Sequence, residues 1–306
     1  MQELSGAVYE FIEAYVPKED ILKEEPMCKH TTFRIGGEAS CFIRISSWEQ
    51  LSKLIPYFKQ VDVPCFILGN GSNLLVSDHG YQGVILQIGD KLSQIETEGN
   101  IMKVQAGALL SKAAKTALDQ GLTGLEFASG IPGTIGGGVV MNAGAYGGEM
   151  KQIVESVTVL SDDGEILRLD NDTMEFGYRT SVIKKYPFTV LEVTLKLKEG
   201  SREEIQERME DFAARRKEKQ PLEFPSAGST FKRPEGYFAG KLIMDAGLRG
   251  YSIGGARISE KHCGFVVNTG KATARDVADV IEEVQERVKD RFGVLLEREI
   301  IYLGIF

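Results

Sequence analysis

Cysteine, histidine and tryptophan are all scarce in this chain. Its four cysteines, Cys28, Cys41, Cys65 and Cys263, are scattered and form no CxxC pair. That spacing argues against a disulfide framework or a cysteine zinc site and suits reduced thiols in the cytoplasm. The three histidines, His30, His79 and His262, build no recognisable triad with a serine. Long basic runs are missing and the net charge is −8, so nucleic acid is not an expected partner, although a local basic site for a small phosphorylated ligand remains open. No apolar run is long enough to cross a bilayer. The segment MQELSGAVYEFIEAYVPKED lacks the basic start and cleavage site of a signal peptide. The expectation is a cytoplasmic protein without membrane insertion.

What is present fits two or three domains of α/β or α+β class: 306 residues, 42% of them apolar and 26% charged. Residues 4–16 read as an amphipathic helix closed by Pro17. CFIRI (41–45) reads as a strand, and Ser46 with Glu49 as a capping box for the helix after it. CFIL (65–68), GVILQI (83–88) and IMKVQA (101–106) are strand-like, a helix is expected at about 109–120, and Asp163-Gly164 marks a hairpin within SVTVLSDDGEILRL. FTVLEVTLKL (188–197) adds a strand. At 201 the texture changes: a charged helix over 202–219, the strand GFVVN (264–268), a helix opened by Thr273, and a last strand LLEREIIYL (295–303). These changes suggest cuts near 60, 200 and 293.

Glycine is concentrated where the chain has least charge. Residues 129–150, SGIPGTIGGGVVMNAGAYGGEM, hold eight of the 34 glycines and no charged residue before Glu149. A second run, GNGSNLLVSD (69–78), follows the strand CFIL directly. Such density weakens regular structure and must therefore serve the backbone, either in tight connections between strands or in amides turned together toward an anion. Two such loops could clamp the diphosphate of a dinucleotide. Neither is the GxGxxG of a βαβ unit nor a GxxxxGK[ST] loop.

Other residues are ambiguous by spacing alone. Ser229 in SAGSTFK reads as a turn serine and Arg179 in GYRTS as a surface arginine. Tyr146 reads as a packed loop aromatic, and Arg215-Arg216-Lys217-Glu218-Lys219 as a solvated helix end. Strand alternation sets Leu295, Glu297, Glu299, Ile301 and Leu303 on one face, and a carboxylate on such a face belongs to a rim or a site.

GNGSNLLV followed by SGIPGTIGGGVVMNAGAYGGE resembles the flavin-binding half of the UDP-N-acetylenolpyruvoylglucosamine reductase family. HTTFRIGG (30–37), YRTS (178–181), AGSTFKRP (227–234), KLIMDAGLRGYSIGGARISEKHCGFVVN (241–268) and the C-terminal strand resemble it in the same order. The likeness runs from about residue 28 to the end and is closest to the type lacking an inserted Tyr-bearing segment.

The resemblance implies an α+β fold: a two-part FAD-binding domain of the vanillyl-alcohol-oxidase/PCMH-like type plus a C-terminal α/β substrate-binding domain. The FAD subdomains are expected at 1–60 and 61–200, the substrate domain at 201–293, and a C-terminal strand with the catalytic Glu at 294–306. It implies non-covalent FAD, held by Gly69, Asn70, Gly71, Ser72, Asn73, Leu74, Gly130, Ile131, Pro132, Gly133, Ile135, Gly136, Gly137, Asn142, Gly144 and Ala145. NADPH is the implied co-substrate and UDP-N-acetylglucosamine enolpyruvate the implied substrate of a monomer working in peptidoglycan precursor synthesis. The resemblance further implies a hydride path from NADPH to flavin to substrate C3.

Ser229 is then the proton donor at C2, Arg179 the bidentate anchor of the carboxylate, and Glu299, preferred over Glu297, an acid that stabilises the enolate. Tyr146, Lys232 and Arg216 are implied substrate contacts, with Lys232 also lending charge near Ser229. Many relatives carry Arg two residues beyond the glutamate, where this chain has Ile301. An oxidase of the same flavin superfamily and a flavin or nucleotide-sugar sensor without turnover are the alternatives. Neither glycine loop holds a His or Cys for covalent flavin, and a sensor has no use for Ser229, Arg179 and Glu299 together.

Overall fold

The computed structural model describes residues 4–306. They form two compact units between which the chain passes repeatedly. The first holds residues up to Lys23, Cys41–Asn70 and Gly83–Arg216; the second holds Glu24–Ser40, Gly71–Gln82 and Lys217–Phe306. These units cut the chain differently from the segments expected at 60, 200 and 293, because they follow pairing in space rather than texture along the sequence. Strand Leu74–Val76 pairs in parallel with Ile301–Leu303, and the Asn268 side-chain amide donates to the Phe33 carbonyl. Both contacts draw early residues into the second unit.

In the first unit, helix Gly6–Tyr15 buries Val8 and Ile12, and its Phe11 ring stacks on Tyr57 at 3.7 Å. Tyr57 lies on helix Trp48–Gln60, which buries Leu51, Leu54, Ile55 and Phe58 at helical spacing. The cap is Ser47 with Gln50, one residue beyond the expected Ser46 and Glu49. Ser47 Oγ accepts from Gln50 N at 3.2 Å, and Gln50 Oε1 accepts from Ser46 N at 2.8 Å. Gln50 takes this part because it is buried, its Nε2 donating to the Tyr15 carbonyl.

Two sheets follow. One has four strands in the order Ile21–Pro26, Glu38–Ile45, Tyr81–Ile88, Cys65–Leu68. The other has five antiparallel strands in the order Ile166–Asp170, Val154–Leu160, Thr189–Lys196, Ile101–Gln105, Ile95–Glu98. The hairpin joining Leu160 to Ile166 turns on Gly164 at φ 89°, as the Asp-Gly signal predicts. Val157, Val159, Val193, Leu195, Met102 and Val104 from the second sheet share a core with Ala113, Ala114 and Ala117 of helix Leu110–Asp119.

In the second unit a three-stranded antiparallel sheet, Ser252–Ile253, Ala256–Ile258 and Val266–Asn268, accompanies helix Ala274–Phe292. Thr273 and Asp276 cap that helix reciprocally and Gly293 ends it in the left-handed region at φ 69°. Val277, Val280, Ile281, Val284 and Val288 are buried in a core with Phe33, Leu75, Phe231 and Leu296. The expected strand over 295–303 is regular only at Ile301–Leu303; before it runs an isolated bridge between Phe231 and Arg298. Leu296, Ile300 and Leu303 are buried along 295–303, so of the expected face Leu295, Glu297, Glu299 and Ile301 are the more open part and Leu303 is buried.

Long helix Arg202–Lys219 is tied to the first unit by a buried carboxylate. Glu126 accepts from Thr123 Oγ1 at 2.6 Å, Gly124 N at 2.8 Å and Arg208 Nη2 at 2.8 Å. Burial alone would raise this carboxyl, but these hydrogen bonds hold it below the usual 4.5. Its stabilising contribution is therefore complete above the unfolded value and fades as pH falls through the folded one. Glu126→Gln should cost about 1–3 kcal/mol at neutral pH. Thermal unfolding of both proteins down to about pH 3 should show the gap narrowing with acid; a gap independent of pH would exclude this role.

Candidate active site

Strand Cys65–Leu68 delivers Gly69 and Asn70 against the second glycine loop within the first unit. A Cβ on Gly69 would stand 2.6 Å from Thr134 Oγ1, and Asn70 Nδ2 donates to the Pro132 carbonyl at 2.7 Å. Thr134 caps the short helix Ile135–Val140, its hydroxyl accepting from Gly137 N at 3.3 Å. This threonine, passed over in the sequence, announced itself as a hydroxyl just before a helix start.

The loop's amides fall into two groups. Those of Ile131, Ile135 and Gly136 are used internally, donating to Ala128, Ala108 and Ala106 carbonyls. Those of Gly130, Gly133 and Thr134 have no hydrogen-bond acceptor among the described residues. Arg216 lies over the same loop, its Nη1 donating to the Gly130 carbonyl at 2.5 Å. N–H groups without a protein acceptor are open to an anion or to solvent, and a guanidinium beside Gly130 favours the anion.

The glycines divide in the same way. A Cβ on Gly136 would meet Ala106 at 3.0 Å, on Gly138 Leu110 at 3.2 Å, on Gly144 the Gly148 carbonyl at 2.8 Å, and on Gly148 Phe127 at 2.5 Å. These serve packing. Gly137 is exposed and its Cβ would meet nothing closer than Thr134 Oγ1 at 3.6 Å, so the protein itself does not require glycine there.

Nearby, three non-glycine residues hold positive φ: Asn142 at 41°, Tyr146 at 54° and Arg179 at 56°. Such strain persists only where surrounding contacts enforce it, and it concentrates at functional sites. Asn142 is buried, and its side chain is fully engaged. Nδ2 donates to Glu149 Oε2 and the Gly177 carbonyl, and Oδ1 accepts from Lys151 N. Its amide organises the loop and has no donor left to offer a ligand. Strands Gly144–Ala145 and Gly148–Glu149 form a tight hairpin with Tyr146 and Gly147 at its tip, and the Tyr146 ring stacks on Phe212 at 4.5 Å. Arg179 occupies a second tight turn, closed by reciprocal bonds between Gly177 and Thr180, and its Nη2 reaches the Gly144 carbonyl at 3.4 Å.

The second unit gathers Ser229, Glu299, Lys232 and Asn73. Gly228, at φ 76° with open space around it, precedes the exposed Ser229. The segment then pairs with 297–299: Glu299 N donates to the Thr230 carbonyl at 2.9 Å and Lys232 N to the Glu297 carbonyl at 2.8 Å. Asn73 Nδ2 donates to the Glu299 carbonyl at 3.2 Å, and Thr32 Oγ1 to the Ser226 carbonyl at 2.7 Å. The two glutamates part company here. Glu297 is exposed and ion-paired with Lys232, whereas Glu299 is half-buried beside the Ser229 segment. Lys232, expected to lend positive charge near Ser229, has that charge met by Glu297.

Among the described residues no cluster of His, Cys, Asp or Glu is arranged to hold a metal ion, and no helix is long and apolar enough to cross a membrane.

Residues 220–303 match the family model for the C-terminal domain of UDP-N-acetylenolpyruvoylglucosamine reductase, and residues 39–170 match a model for an FAD binding domain. The UDP-N-acetylenolpyruvoylglucosamine reductase of Clostridioides difficile (strain 630) is 52% identical over 287 residues, covering 94% of this chain and 94% of that protein. A crystal structure of UDP-N-acetylenolpyruvylglucosamine reductase from Thermus caldophilus matches with a TM-score of 0.80 at 37% identity, over 92% of this chain and 98% of that one. An alkyldihydroxyacetonephosphate synthase, 12% identical with a TM-score of 0.50 over 64% of this chain and 41% of its own, shares the fold. The expected α+β class, with an FAD-binding domain of the vanillyl-alcohol-oxidase/PCMH-like type and a distinct C-terminal domain, is the one found.

The two classes of glycine should respond oppositely to a methyl group. Gly148→Ala forces a clash with Phe127 and should destabilise by about 1–3 kcal/mol. Gly137→Ala should leave stability unchanged or raise it by about 0.5–1 kcal/mol, as an exposed helical position allows. Chemical denaturation of the ligand-free proteins measures both; similar losses would contradict the division.

Proposed function

This chain belongs to the UDP-N-acetylenolpyruvoylglucosamine reductase family and is an FAD-dependent oxidoreductase, and from that premise we propose that it reduces UDP-N-acetylglucosamine enolpyruvate to UDP-N-acetylmuramate with NADPH. The setting in this reading is peptidoglycan precursor synthesis in the cytoplasm, by a monomer. The observation that carries it is the pairing of the Ser229 segment with the Glu299 segment, a hydroxyl and a half-buried carboxyl held together by the 2.9 Å bond from Glu299 N to the Thr230 carbonyl.

FAD fits the first unit's loops. The unpaired amides of Gly130, Gly133 and Thr134, with Arg216 over them, suit a diphosphate, and the bare exposed face of Gly137 allows close approach. Gly69, Asn70 and the residues from Gly130 to Ala145 shape this cradle chiefly through their backbone, whereas Gly71, Ser72, Asn73 and Leu74, also expected to hold the cofactor, belong to the second unit. Arg216 sits with the cofactor loop, which favours the diphosphate of FAD over that of the nucleotide sugar as its partner. No His or Cys occurs in either glycine run, so attachment is non-covalent. When bound, the flavin supplies a hydride relay between NADPH and carbon 3 of the enolpyruvyl group.

The protein's own residues supply binding and protons. Arg179 grips the substrate carboxylate through two parallel N–H bonds, and its strained turn holds the guanidinium ready. Protonated Glu299 donates a hydrogen bond where enolate charge develops. Ser229 gives its hydroxyl proton to carbon 2. Tyr146, at a hairpin tip on Phe212, meets the nucleotide end of the substrate. Lys232 contacts the substrate as part of its ion pair with Glu297.

Ser229→Ala should remain yellow and accept electrons from NADPH at the parental rate. Anaerobic reoxidation by the enolpyruvyl nucleotide should slow by about 10²-fold or more, the usual worth of a positioned proton donor. Unchanged reoxidation would remove Ser229 from the mechanism. Arg179→Lys keeps the charge but loses the paired geometry, so the same step should slow by about tenfold. A parental rate in that stopped-flow measurement would defeat the anchoring role.

A further inference from the structure

Ser229 and Glu299 lie far apart in sequence, and one residue with no assigned part in the reaction joins them. Thr230 is 1% exposed. Its N–H donates to the Gly264 carbonyl at 2.8 Å, and its carbonyl accepts from Glu299 N at 2.9 Å. Its Oγ1 accepts from Val266 N at 3.0 Å. The Thr230 N–H belongs to the Ser229–Thr230 peptide, so its bond to Gly264 sets the plane from which Ser229 hangs. On the other side Gly228 has open space where a side chain would stand, and the preceding chain is held at buried Ala227 and by the Thr32 Oγ1 bond to the Ser226 carbonyl. Thr230 is the adjacent residue that ties Ser229 to the sheet.

The anchor at the far end is stiff. Val266 begins strand Val266–Asn268, which pairs antiparallel with Ala256–Ile258. Gly264 is held by donating its own N–H to His262 Nδ1 at 3.1 Å, and burial lowers the His262 pKa, which keeps that nitrogen an acceptor.

We propose that Thr230 is a positioning residue for the reduction, its buried hydroxyl locking the Ser229 and Glu299 segments onto the three-stranded sheet in the spacing that proton delivery needs. This rests on the roles proposed above for those two residues. Valine in its place keeps the shape but leaves the Val266 N–H without an acceptor in a buried setting, so the segment must shift to repair the loss. A displacement of order 1 Å at a reacting group costs about a hundredfold in rate. Flavin reduction by NADPH makes no use of Ser229 and is insulated from that shift.

Thr230→Val, Thr230→Ala and Thr230→Ser holoenzymes, with Ser229→Ala alongside, test this by anaerobic stopped flow and by amide hydrogen exchange. The valine and alanine proteins should take electrons from NADPH at the parental rate yet reoxidise with UDP-N-acetylglucosamine enolpyruvate about 10- to 100-fold more slowly. Their kcat should fall with KM little changed, and the Val266 amide should exchange faster. The serine protein should restore both rate and protection. Parental reoxidation in the valine or alanine protein, equal slowing of both half-reactions, or failure of serine to rescue would overturn the proposal. If Ser229→Ala also reoxidises at the parental rate, the assigned role of Ser229 has failed; if it is slow while the Thr230 variants are not, only the positioning role has.

Discussion

The second unit depends on backbone hydrogen bonds between segments that are remote in sequence. Glu299 N reaches the Thr230 carbonyl, Ile301 N reaches the Asn73 carbonyl, and the Asn73 side chain returns a bond to Glu299. Each peptide group removed from water must find such a partner, so three short segments with little regular structure of their own become mutually obligatory. A carboxylate and a hydroxyl with no local reason to be neighbours are brought together by main chain. Because peptide groups make these bonds, the choice of side chain at both positions is left to the chemistry.

Glycine serves two purposes that composition cannot separate. Gly69, Gly144 and Gly148 admit a neighbouring atom of the protein so close that a methyl group would collide with it, and Gly136 and Gly138 leave a methyl group only a tight fit. Gly137 stands open, beside amides that have no acceptor among the described residues. The density of glycine therefore overstates the ligand-facing surface, much of which is internal joinery. The part left over is compact: three N–H groups and one guanidinium.

Much of the fold was legible in the sequence, because long periodic elements announce themselves. The hairpin about Gly164, the capped helix after Thr273 and the strand Thr189–Lys196 stand close to where hydrophobic spacing and turn chemistry put them. What was hidden is what depends on pairing at a distance. The strand expected over 295–303 shrinks to three residues because its regular partner, Leu74–Val76, is only that long. The cap moved from Ser46 to Ser47 because Gln50, itself buried, found an acceptor in the Tyr15 carbonyl of another helix. In the candidate site, spacing alone left Ser229, Arg179 and Glu299 ambiguous, and only the family resemblance singled them out. It gave no sign that Lys232 is taken up by Glu297 or that Asn142 is consumed in holding a turn.

The parallel pairing of Ile301–Leu303 with Leu74–Val76 also governs the order in which the molecule can be completed. A chain emerging from the ribosome carries residues 74–76 long before their partner exists. That strand waits with exposed edges while the intervening residues are made and the first unit assembles. Shielding during synthesis is then a demand on this short strand in addition to final stability.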